Sequence, residues 1–148
     1  MKIVKKILMA LLIILVIAQF FSPEKNIGDT TDLTAFLDET KPNDEVKAIL
    51  KTTCYDCHSS NTVYPWYSKI TPVNYWMAEH VEDGKKHLNF SEWENLSTSK
   101  KHHALKEILE EIEAKKMPLK SYLLLHQQAK LSATDIETLK NWIDKNLN

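Results

Sequence analysis

The chain of 148 residues carries 19 basic and 20 acidic side chains, which give a formal net charge of −1. This near balance provides no broadly basic surface, so a nucleic-acid partner is not expected. The sequence contains only two glycines and little strand-like alternation. Both features disfavour a β-rich architecture, and we expect an all-α fold.

Residues 1–21 have the pattern of an export segment. Lys2, Lys5 and Lys6 precede an apolar run over residues 7–21. This order is typical of a secretory signal peptide, although the run is also close to the minimum length of a membrane anchor. We expect export to the periplasm or to the outer face of the cytoplasmic membrane, with this segment either cleaved or kept as a membrane tether.

The rest of the chain is predicted to be a linker followed by one domain. Residues 22–42 are rich in turn-forming residues and form the expected linker, with one helical turn near Phe36. The domain is expected at residues 43–148. Its first helix is predicted to begin with Asn43 as N-cap, and Ser132 with Asp135 predicts a capping box for the last helix. A second capping box is predicted at Ser91.

A five-residue motif provides the strongest functional signal. It contains both cysteines of the chain and reads Cys54-Tyr55-Asp56-Cys57-His58. The C-x-x-C-H spacing is the one at which haem is attached covalently, each thiol adding to one vinyl group while the histidine binds the iron from the proximal side. The motif therefore predicts one haem c per chain. An export segment agrees with it, because haem attachment requires export of the chain.

Two other interpretations of the motif remain open. A redox-active dithiol uses C-x-x-C, but usually beside a βαβ pattern, which this sequence lacks. A zinc site would need two further ligands from the histidines, and no pair of the remaining histidines has the usual zinc-finger spacing.

Met117-Pro118 supplies a candidate second iron ligand. Proline prevents helical continuation through the preceding residue, so Met117 is expected in a loop that can reach the haem. A methionine thioether raises the reduction potential relative to a second histidine. His80 is an alternative distal ligand or a haem-pocket residue. It lies on the apolar stripe of a helix that begins near Pro72, where a hydrogen-bonded core histidine is the simpler interpretation.

Aromatic residues follow the motif closely in sequence. Tyr64, Trp66 and Trp76 are candidate walls of a haem pocket. The alternative interpretation is that these side chains only fill the hydrophobic core.

The motif, the Met-Pro loop and a terminal amphipathic helix together resemble a class I cytochrome c. From Val46 to Trp142 the chain also resembles a family of small exported haem-binding domains. The segments that carry this second resemblance are Tyr64-Pro65-Trp66-Tyr67, His80-Val81-Glu82-Asp83-Gly84, Leu88-Asn89-Phe90-Ser91 and Met117-Pro118-Leu119, with Tyr122 and His126. The resemblance implies a cytochrome c-like helical domain, thioether attachment at Cys54 and Cys57, His58 as proximal ligand and Met117 as distal ligand.

Three functions are compatible with these features. The first is a single-electron carrier of the cell envelope that is not an enzyme, with redox proteins and the c-type haem maturation machinery as partners. The second is a sensor of small ligands, or a peroxidase-like protein, in which the distal iron position is labile. The third is a structural zinc-binding module.

Overall fold

The computed structural model describes residues 2–28 and 30–148. Met1 and Asp29, which fall in the predicted export segment and linker, lie outside the described residues. The α-helices are α1 (Lys2–Ala18), α2 (Thr34–Thr40), α3 (Asp44–Thr53), α4 (Tyr55–His58), α5 (Val73–His87), α6 (Thr98–Glu113), α7 (Lys120–Leu123) and α8 (Ala133–Leu147). Within the described ranges there is no β-strand, so the all-α prediction is confirmed.

Short 3-10 turns connect these helices. They lie at Thr30–Leu33, Trp66–Lys69, Phe90–Asn95 and Gln127–Ala129. An isolated antiparallel bridge joins Ile27 to Asn61, which brings the chain after α1 alongside the loop that follows α4.

Helix α1 projects apolar side chains into solvent along its length. Its end is nevertheless attached to the domain, because the Gln19 side chain donates to the Thr71 carbonyl at 3.1 Å and accepts from the Thr71 amide at 3.0 Å. In the described part of the chain, no helix reaches the length and apolarity needed to cross a bilayer.

The hydrophobic core is organised around aromatic rings from distant parts of the sequence. Phe36 has no exposed surface, and its ring centroid lies 4.6 Å from that of Phe90 and 5.1 Å from that of Trp93. The Trp142 indole donates a hydrogen bond to the Thr40 carbonyl at 3.0 Å. Part of the segment that we expected to be a linker therefore belongs to the core, because burial of Phe36 outweighs the weak local signal of a seven-residue helix.

Two of the three helix caps that the sequence predicts are present in the structure. Asn43 accepts a hydrogen bond from the Val46 amide, and Ser132 with Asp135 forms a complete capping box. The prediction of a capping box at Ser91 is wrong. Asn89 caps that 3-10 turn instead, and the Ser91 hydroxyl accepts a hydrogen bond from the Ser60 amide at 2.9 Å.

Candidate functional site

A large cavity adjoins the C-x-x-C-H motif. Its volume is about 530 Å³, within the range of roughly 300–1,000 Å³ that is usual for cofactor pockets. Cys54, Cys57, His58 and Met117 all line it. Four residues that were predicted separately from two distant parts of the sequence are thus brought to the same space.

The local backbone places the motif on one side of a helical turn. The Cys54 amide donates to the Leu50 carbonyl at 2.9 Å, which joins the motif to the end of α3. The His58 amide then donates to the Cys54 carbonyl at 3.0 Å. Because residues three and four positions apart share a helix face, Cys57 and His58 lie on the same side as Cys54. This explains why all three line the cavity.

The His58 ring is oriented by a backbone carbonyl. Its Nδ1 atom lies 3.0 Å from the carbonyl oxygen of Leu88. A carbonyl only accepts hydrogen bonds, so Nδ1 carries the proton and Nε2 keeps a free lone pair. Burial lowers the pKa of His58. The hydrogen bond to Leu88 acts in the opposite direction and raises the pKa, but burial is the larger effect. The imidazole is therefore neutral, and its Nε2 can bind a metal ion.

The two thiols are in an environment that keeps them protonated. Burial raises the pKa of Cys54 to about 12, with a smaller contribution from Cys57. Burial also raises the pKa of Cys57 to about 11, with a smaller contribution from Asp56. Redox-active dithiols need the opposite shift, because their nucleophile is the thiolate. The surroundings of these cysteines therefore give no support to the dithiol interpretation.

Met117 reaches the cavity from the segment after α6. That helix ends at Glu113, and Lys115 follows with a left-handed backbone, φ 56°. The Met117 amide donates to the Glu111 carbonyl at 3.2 Å, and its side chain packs against the core. The thioether is thus held by the protein at the cavity wall.

Asp56 links the motif to the segment that follows Met117. The Tyr122 hydroxyl donates to the Asp56 carboxylate at 2.7 Å, and the Val63 amide donates to the same carboxylate at 3.1 Å. This pair was not predicted from the sequence. The partners are 66 positions apart, so no local pattern indicated their contact.

A second, smaller cavity adjoins the first. It has a volume of about 90 Å³ and shares Cys57, His80, Leu119 and Tyr122 with the large cavity. The His126 ring stacks on Tyr122 at 4.1 Å and its Nε2 atom is hydrogen-bonded to the Tyr67 hydroxyl. These aromatic side chains line the small cavity.

The remaining predicted site residues lie in different places. His80 lines both cavities, and its Nδ1 donates to the Trp76 carbonyl at 2.8 Å. Trp76 lines the small cavity. Tyr64 and Trp66 are not among the lining residues of either cavity. The Tyr64 hydroxyl accepts a hydrogen bond from the Asn26 amide at 2.6 Å, and Trp66 is 74% exposed at the start of a surface turn.

The zinc interpretation lacks a ligand cluster in the part of the chain that the structure describes. Across residues 2–28 and 30–148, no three side chains of His, Cys, Asp or Glu are grouped so that they could hold a metal ion.

The site fits a haem group. The two thiols, the neutral imidazole and the thioether are the groups that c-type haem uses for attachment and axial ligation. The large cavity also supplies the apolar walls that a porphyrin needs, from Leu88, Phe90, Ile108, Ile112 and Leu119.

Comparison with known proteins agrees with this chemistry. Residues 13–145 match the model of a family described as "Haem-binding domain". No curated protein and no solved structure matches the chain. Because the family model extends over nearly the whole sequence, the chain belongs to the haem-binding domain family.

Proposed function

We propose that the protein covalently holds one c-type haem and carries single electrons in the cell envelope. One observation supports this most strongly: Cys54, Cys57, His58 and Met117 line the same cavity of about 530 Å³. Cys54 and Cys57 would form the two thioether bonds. His58 would bind the iron on the proximal side and Met117 on the distal side.

The chain's own groups explain why this ligand pair would favour electron transfer. The hydrogen bond from His58 Nδ1 to the Leu88 carbonyl fixes the imidazole and raises the basicity of Nε2. The Met117 thioether is a neutral ligand that stabilises ferrous iron relative to ferric iron. With His58 and Met117 both bound to the iron, haem would supply reversible one-electron exchange, and no position would remain open to a substrate. We therefore propose an electron carrier without a catalytic reaction of its own.

Location and partners form part of the same proposal. The basic and apolar segment at residues 1–21 supports export, and thioether formation would take place during maturation on the far side of the membrane. The partners would be the c-type haem maturation machinery and redox proteins of the cell envelope. The segment over α1 would serve either as a cleaved signal or as a membrane tether.

The small cavity favours a second candidate function. Its volume of about 90 Å³ is sufficient for a small molecule such as oxygen or nitric oxide, and His80 lines both cavities. If the bond to Met117 were labile, a ligand in this cavity could replace it, and the protein would act as a haem-based sensor. A peroxidase-like activity would use His80 as the distal acid or base.

The decisive experiment is expression together with c-type haem maturation machinery, followed by a denaturing gel stained for haem. We expect gel-stable haem in the wild-type chain, and none in the double variant Cys54→Ala and Cys57→Ala. Haem staining that survives in the double variant would show that attachment does not use these thiols.

Potentiometry and carbon monoxide distinguish the two candidate functions. An electron carrier should titrate as a one-electron couple and should bind carbon monoxide slowly in the reduced state, because Met117 has to leave first. Rapid and complete carbon monoxide binding would instead favour the sensor.

A further inference from the structure

Several large apolar side chains remain exposed near the point where α1 joins the domain. They come from the loop after α4, the turn at Trp66–Lys69, the first turn of α5 and the chain after α7. We call these residues the apolar face: Val63, Trp66, Ile70, Tyr75, Trp76 and Leu125. Contiguous apolar surface of this kind commonly marks a contact with a protein or a membrane.

Four residues of the apolar face are grouped around the small cavity. Val63, Trp76 and Leu125 line the small cavity together. The Trp66 ring lies 5.8 Å from the Tyr67 ring, which lines the same cavity. Val63, Trp66, Trp76 and Leu125 therefore lie around the small cavity. Ile70 directly follows the turn that carries Trp66, and Tyr75 precedes Trp76 in α5.

Hydrogen bonds attach the end of α1 beside this face. Gln19 makes two hydrogen bonds with the backbone of Thr71, the residue directly after Ile70. The Thr71 hydroxyl also donates to the Phe21 carbonyl at 3.3 Å. The apolar face thus adjoins the domain end of α1, whereas Lys2, Lys5 and Lys6 lie toward the opposite end of that helix.

Helix α1 has the surface chemistry of a segment that enters lipid. Its apolar side chains are exposed, and none of its residues is buried against the domain. Removing such a surface from water is strongly favourable, because the free energy gained grows with the apolar area that is buried. Tryptophan and tyrosine are enriched where the hydrocarbon of a bilayer meets the lipid headgroups. The apolar face beside α1 exposes Trp66, Tyr75 and Trp76.

We propose that the apolar face rests on the surface of a lipid bilayer, with α1 embedded in the lipid beside it. Trp66, Tyr75 and Trp76 lie at the headgroup level, and the exposed Lys69 in the same turn contacts anionic headgroups. This orientation rests on the envelope location proposed above, with α1 kept as the membrane tether, but it does not depend on haem attachment or on electron transfer.

Site-specific photo-cross-linking tests the orientation. The full chain is expressed with the photoreactive residue p-benzoylphenylalanine in place of Trp66 and bound to vesicles of phosphatidylethanolamine and phosphatidylglycerol. The same residue in place of Leu12 in α1 reports whether the chain is bound to lipid. The control for a surface away from the membrane carries the photoreactive residue in place of Glu137. This residue is exposed on α8, which packs on α3 and α6.

We expect lipid adducts at positions 12 and 66, each several-fold more abundant than at position 137. A probe at Tyr75 provides a second measurement on the face if the Trp66 variant fails to fold. Lipid adducts confined to position 12 would overturn the proposal, and so would adducts at position 66 with a second copy of the chain. Absence of lipid adducts at position 12 would also overturn it. Haem staining of the same samples reports independently on the proposed function.

Discussion

Gly84 lies directly against the backbone of Cys57. A Cβ atom built at position 84 would be 2.7 Å from the Cys57 carbonyl oxygen and 3.2 Å from its Cβ. The absence of a side chain on this turn of α5 therefore allows the helix to approach the C-x-x-C-H motif closely. The same helix is followed by Leu88, whose carbonyl orients His58.

Replacing Gly84 with alanine should destabilise the protein. Alanine gains about 1 kcal/mol in helix propensity, but overpacking against a fixed backbone costs about 1–3 kcal/mol. We expect a net loss on the order of 1 kcal/mol, measured by chemical denaturation. Glu79→Ala, on the exposed side of the same helix, is the control and should change stability by less than about 0.5 kcal/mol. A Gly84→Ala variant more stable than wild type would show that α5 moves freely away from Cys57.

Tyr122→Phe should loosen the connection between the motif and the segment after Met117. It removes the 2.7 Å hydrogen bond to Asp56 and keeps the ring that stacks on His126. Hydrogen bonds to charged groups contribute about 1.5–3 kcal/mol, and the partial exposure of Tyr122 reduces this contribution. We expect a loss on the order of 1 kcal/mol in chemical denaturation.

The control for this substitution is Tyr75→Phe. Tyr75 is half exposed on the apolar face, so loss of its hydroxyl should leave the stability of the protein in solution nearly unchanged. Equal effects of the two substitutions would contradict a specific role for the Asp56–Tyr122 contact.

Phe36→Ala should be among the most damaging substitutions outside the cavity. The Phe36 ring is fully buried and contacts the rings of Phe90, Trp93 and Trp142. Loss of such a ring typically costs about 3–5 kcal/mol. The matched control is Phe20→Ala, because Phe20 is 84% exposed and its loss should have little effect on unfolding of the domain. A mild effect of Phe36→Ala would mean that α2 is not part of the folding unit.

The sequence predicted features that depend on neighbouring residues. Asn43 and the Ser132–Asp135 pair were recognised as caps because a cap is defined by residues within three or four positions. The motif at Cys54 and Cys57 was recognised because its spacing alone carries the chemistry. The all-α class followed from composition and from the scarcity of strand-like alternation.

The features that escaped prediction depend on contacts between distant residues. Phe36 enters the core through rings more than fifty positions away, which no local periodicity reveals. The Ser91 side chain is suited to capping a helix, but its hydroxyl accepts a hydrogen bond from the Ser60 amide instead. Trp66 was expected near the cofactor because it is close to His58 in sequence, yet the intervening turn places it on the surface.

Met117→Ala tests the proposed distal ligand. In the haem-loaded protein, this substitution should abolish the charge-transfer band between methionine sulfur and ferric iron. It should also lower the reduction potential, because the thioether no longer stabilises the ferrous state. Both changes can be read from the optical spectrum and from potentiometric titration of the same sample.

Met77→Ala is the matched control for Met117→Ala. Met77 lines the small cavity and is absent from the lining of the large one, so its loss should leave the charge-transfer band in place. His80→Ala separates the remaining alternative, since His80 lines both cavities. If His80→Ala removes the sixth ligand while Met117→Ala leaves the spectrum unchanged, the distal ligand is His80. The reduction potential would then be the lower one expected for two histidine ligands.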